Sequence, residues 1–156
     1  MDTRDIISTL NKLIETCKDG EQGFRTCAED LDDQQLKQTF ALRADQCAQA
    51  AVQLQELVRS MGGVAETSSS VAGTLHRRWV DIKSAVTGKD TLSVLNECER
   101  GEDIALADYR AALEKDLPDN IRAVIETQYQ GVQKNHAQVK ALRDAAQTAA
   151  NLAKRP

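Results

Sequence analysis

The stretch LSVLNECERGEDIALADYRAAL, residues 92–113, decides the fold. Within it Leu92, Leu95, Glu99, Glu102, Leu106, Tyr109 and Leu113 follow one another at alternating steps of three and four, the spacing of one buried helix face. Two of these seam residues are glutamates. An apolar interior does not tolerate an unpaired carboxylate, so each must be paired, hydrogen-bonded, protonated, metal-bound or turned to solvent. The rest of the chain is therefore read for partners.

Three other segments carry the same periodicity. A first helix is expected from about Thr3 to Leu31, with Ile7, Leu10, Ile14, Cys17, Glu21, Phe24, Ala28 and Leu31 on its seam. Asp32 and Asp33 offer an N-cap for a second, with Gln35 as a capping-box partner of Asp32. This second helix carries Leu36, Phe40, Arg43, Cys47, Ala50, Leu54, Leu57 and Met61 and stops at Gly62-Gly63. The fourth begins at Pro118, runs to about Ala153 and carries Ile121, Ile125, Gln128, Val132, Asn135, Val139, Leu142, Ala146 and Ala149. Between the second and third helices, Val64 to Ser70 reads as a loop, followed by an additional short helix over Val71–Val86 that Ser70 caps and Gly88 ends.

Composition agrees with an all-α chain. Two prolines and 3% aromatic residues, against abundant Ala, Leu, Gln, Glu and Lys, suit a helical bundle better than a sheet. The 156 residues fit a single domain over 1–156. A net charge of −4 leaves no basic stripe for a phosphate backbone, which argues against nucleic acid as partner. No apolar run approaches the roughly 20 residues of a membrane span, and the first residues lack the apolar core of a signal peptide. A cytoplasmic protein is expected. Cys17, Cys27, Cys47 and Cys98 show no metal-binding spacing and read as reduced core residues, with Cys17 and Cys47 level enough for a bridge.

Depth along the helices selects the topology. At about 1.5 Å per residue, Glu21 and Arg43 both lie roughly 16 Å from the turn between the first two helices. Glu99 and Asn135 lie about 27 Å from the turn between the last two, on helices about 42 Å long. These levels coincide only if the second and third helices run parallel, joined by a long crossover. The expected polar layer then gathers Glu21, Arg43, Glu99, Glu102, Asn135 and His136. Gly20, Gly23, Gly101 and Gly131 interrupt helical patterns near the same level, which points to close packing or a site.

A crossover four-helix bundle with inward carboxylates is the architecture of the di-iron carboxylate proteins, which take a lone glutamate from two helices and Glu-x-x-His from the other two. Glu21 and Glu99 or Glu102 suit the lone-glutamate places. The other two helices carry Arg43-Ala-Asp-Gln46 and Gln128-Tyr-Gln-Gly131 instead of Glu-x-x-His. A guanidinium repels a metal and can satisfy carboxylates by hydrogen bonds, so Arg43 reads as a replacement for the ion. The alternative is Fe, Mn or Zn held by Glu21, Glu99, Glu102 and His136. On the crossover, Trp79 reads as cover for the bundle and His76 as a capping or hydrogen-bonding residue.

Several segments also resemble a known family: Leu10-Asn-Lys-Leu-Ile-Glu-Thr-Cys-Lys-Asp-Gly20 with Gly23-Phe24, Ser70-Val-Ala-Gly-Thr-Leu-His-Arg77 with Trp79, and Glu99-Arg-Gly-Glu-Asp103. Together they resemble a bacterial family of ferritin-like four-helix bundles, domain of unknown function 2383. The resemblance implies a ferritin-like fold and carries no activity or ligand set. The expectation is therefore a ferritin-like bundle forming a homo-oligomer, a structural or interaction protein set in stress physiology and needing no cofactor. Its alternative is a metal-binding protein or metal-dependent oxidoreductase.

Overall fold

The computed structural model describes residues 1–67 and 91–155. Four helices lie among them: α1 (Thr3–Asp30), α2 (Gln34–Ser60), α3 (Thr91–Leu113) and α4 (Asp119–Ala153). The short crossover helix expected over Val71–Val86, with Ser70, His76, Trp79 and Gly88, lies outside the described residues.

Local chemistry sets the ends. Asp2 caps α1 by accepting from the Asp5 amide at 2.9 Å. At α2 the cap is Asp33, whose carboxylate accepts from the Gln35 and Leu36 amides, so the capping box expected on Asp32 is not formed. The α2 stop is as expected: Gly62 takes a φ of 79°, open to glycine without strain. The Gly63 amide then reaches back to the Val58 carbonyl at 3.0 Å. Pro118 sits one position ahead of the expected first turn, as the α4 N-cap. Arg122 closes the α3 end by donating to the Leu113 carbonyl at 2.9 Å.

Cross-helix contacts establish the topology. Gly20 faces Cys47, and the Arg43 guanidinium lies 5.7 Å from the Phe24 ring centroid, so α1 and α2 are antiparallel. Cys27 meets Cys98, and Cys17 meets Tyr109, so α1 and α3 are antiparallel as well. Helices α2 and α3 therefore run parallel, the crossover arrangement of a ferritin-like bundle. Packing is dense within the α1/α2 and α3/α4 hairpins, which meet chiefly along α1 and α3.

The apolar interior forms two clusters. One joins Leu10, Leu13, Ile14, Leu54, Tyr109 and Ile125; the other joins Phe24, Phe40, Leu31, Leu95 and Val139. Phe24 and Phe40 stack in the second with centroids 5.9 Å apart. Helix α4 is the least buried, with only Ile121, Ile125 and Val139 in the core. Its amide-bearing seam faces a cleft instead.

Candidate functional site

Arg43 on α2 and Glu102 on α3 meet between the two apolar clusters. Guanidinium Nη1 donates to Glu102 Oε1 at 2.6 Å, and each residue is only 3% exposed. Nη2 donates to Gln138 Oε1 of α4 at 3.0 Å, while the Phe24 ring lies against the same guanidinium. Both charges sit where solvation is poor. Burial pushes the Glu102 carboxyl up to about 7 against the opposing pull of Arg43, and burial also lowers Arg43 from the usual arginine range.

The other residues expected in this layer go elsewhere. Glu21 is half-buried and pairs with Arg25 at 3.2 Å and Lys18 at 4.0 Å. Glu99 takes Arg143 Nε at 3.2 Å, two turns beyond Asn135 along α4. Asn135 donates to Gln46 Oε1 at 3.3 Å. His136 Nε2 lies 2.6 Å from Asp103 Oδ1, on the α3/α4 flank. Of the six, only Arg43 and Glu102 are in direct contact; Gln138, one turn past Asn135, completes their layer.

Three ligand-bearing groups do converge away from the core. Glu99, Asp103 and His136 each present an atom within 4.8 Å of the other two. Asp103 is exposed. The signal for it was its i, i+4 relation to Glu99, which places both on one flank.

The cysteines also rearrange the expectation. Cys17 and Cys47 remain thiols, and the Cys17 sulfur lies 3.3 Å from the Tyr109 hydroxyl. The pair in contact is Cys27 and Cys98, with sulfurs 2.8 Å apart and both side chains fully buried. Burial raises the Cys17 thiol to about 11 and raises Cys47 and Cys98 as well. All three are held protonated.

Beside the ion pair a cleft of about 890 Å³ opens between α2 and α4. Arg43, Glu102, Cys17 and Tyr109 lie along its floor, and Gly20, Gly101 and Gly131 contribute wall without side chains. Amides lace across it: Gln128 Nε2 donates to Gln53 Oε1 at 2.8 Å, and Tyr109 donates to Gln128 Oε1 at 2.8 Å. These mid-helix glycines thus line the cleft, and Gly20 also allows close packing against Cys47.

A di-iron centre at the bundle core does not fit this donor set. The buried carboxylate there is already bound by a permanent cation, and the lone-glutamate candidates Glu21 and Glu99 are bound to arginines of their own.

Comparison with known proteins agrees with the fold. The sequence model of a family described as "Domain of unknown function (DUF2383)" matches residues 5–115. No match is found among curated proteins. Similar solved structures include a Dps1 mutant from Mycobacterium smegmatis, with 12% identity, TM-score 0.73, and 90% of this chain and 96% of that chain covered. A ferritin-like, diiron-carboxylate protein from Bacillus anthracis shows 15% identity and TM-score 0.73, over 92% and 99% of the two chains. The dodecameric thioferritin of Bacteroides fragilis, a bacterioferritin-related protein, shows 14% identity and TM-score 0.76, over 97% and 92%. At such identities the likeness is one of fold.

Proposed function

The chain belongs to the DUF2383 family, and from that premise we propose a ferritin-like bundle whose centre is an ion pair and whose work is structural or interactive. One observation carries this reading: the 2.6 Å contact of Arg43 with Glu102, with both residues nearly excluded from solvent. A guanidinium in that place supplies the charge that a metal would supply, and it cannot change oxidation state or bind oxygen. Iron oxidation at the bundle centre is therefore outside its chemistry. The dodecameric state of the similar thioferritin supports a homo-oligomer here. The sparse burial of α4 leaves surface for such assembly.

The test is oxygen-dependent Fe(II) oxidation by purified protein, run alongside native mass spectrometry. The expected result is a rate no faster than buffer and a discrete oligomer. Catalysed oxidation that disappears in Glu102→Ala would sink the reading.

A second reading rests on the convergence of Glu99, Asp103 and His136. One imidazole and two carboxylates suit Zn(II), Mn(II) or Fe(II), provided Glu99 leaves Arg143. This would be a single ion on the flank of the bundle. His136→Ala would remove it, whereas Glu102→Gln would leave it in place.

A further inference from the structure

We propose that the cleft between α2 and α4 binds a small organic monoanion, a carboxylate carrying an apolar body. This goes beyond the reading of the bundle centre, because it concerns what enters from the side. The volume of about 890 Å³ lies within the range of small-molecule sites. The mid-helix glycines Gly20, Gly101 and Gly131 come from three different helices and all line this cleft. Glycine is disfavoured inside a helix; a Cβ at Gly131 would stand in open space at the cleft, and one at Gly20 would press on Cys47.

Charge selects the ligand's sign. The chain has 24 acidic residues against 20 basic ones, yet among the described residues the charged ones lining the cleft are Arg43, Lys134 and Glu102. Glu102 is bound to Arg43, and Lys134 has no ion-pair partner among the described residues. The described lining therefore carries a net positive charge, of one when Glu102 is ionised and two when it is protonated, which favours an anionic ligand. Arg43 can accommodate it: one guanidinium nitrogen holds Glu102, while the other is held by Gln138, an exposed amide that a carboxylate can displace. Tyr109, Ile104 and Val132 offer apolar surface for the body of the ligand.

The experiment compares 4-phenylbutyrate with its neutral amide by isothermal titration calorimetry on the full chain. The acid is expected to bind once per chain and at least tenfold more tightly than the amide. Lys134→Glu should weaken the acid at least tenfold and leave the amide unchanged. Gly131→Leu tests the location without threatening the fold, since a Cβ there meets nothing within 4 Å and leucine is the better helix former. It should abolish binding of both probes while the circular dichroism spectrum is preserved. No binding of the acid, equal binding of acid and amide, or full binding by folded Gly131→Leu would each overturn the proposal.

Discussion

Replacing Arg43 by methionine probes the ion pair most sharply, because the cost should depend on pH in a calculable way. Glu102 has its folded pKa raised to about 7, above the usual 4.5. The folded state therefore holds the proton more tightly than the unfolded one, and stability is greatest below about pH 4.5 and falls as pH rises through about 7. In the wild type this loss is about 3 kcal/mol, at ~1.4 kcal/mol per pH unit. Without Arg43 the carboxyl is pushed higher still, and the loss continues past pH 7. At pH 8 the variant gives up roughly 1–2 kcal/mol more on this account. Losing the Gln138 hydrogen bond and the Phe24 contact adds about 1.5 kcal/mol. Arg43→Met should thus cost about 3 kcal/mol at pH 8, within the range for breaking a buried pair. At pH 5, where Glu102 is protonated with or without Arg43, only the lost contacts remain and the cost should fall to about 1.5 kcal/mol. Urea denaturation at the two pH values reads the difference. Equal destabilisation at both, or none at pH 8, would refute the reasoning.

Gly131→Ala should raise stability by about 1 kcal/mol in thermal melts, since the added methyl meets open space and removes a helix-interior glycine. Asp33→Ala removes the side-chain acceptor for the Gln35 and Leu36 amides and should cost about 1 kcal/mol by denaturant titration. Aromatic disulfide reagents should label Cys17, Cys27 and Cys98 only slowly in the native protein and all four cysteines at once after guanidinium, with Cys47, the least buried, reacting first. Rapid native labelling of Cys98 would show that the core is more open than described.

The topology was legible because it depended on levels along the helices, which sequence spacing measures well. Arg43, the one charge on the second helix's seam, lies buried against Glu102. The membership of the polar layer was less legible, for a geometric reason. A step of three residues turns a helix face by about 60° from the starting direction. That rotation separates Glu102, in the core, from Glu99, on the flank beside Arg143. It likewise separates Phe24, under Arg43, from Glu21, beside Arg25. Alternating three-four steps treat these as one line. The cysteine contact was also hidden by register: Cys27 meets Cys98 inside one apolar cluster, whereas depth along the helices had placed Cys17 level with Cys47. The cleft was foreshadowed only by its glycines, whose common level was visible before their common face.

Metal retention by the bundle centre is the most direct test of the central claim. Protein purified without chelator or histidine tag would be exposed to Fe(II), Mn(II) or Zn(II), desalted and analysed for metal, together with Glu102→Ala and His136→Ala. The account predicts no metal whose retention depends on Glu102. One or two equivalents per chain, kept by His136→Ala and lost by Glu102→Ala, would contradict it.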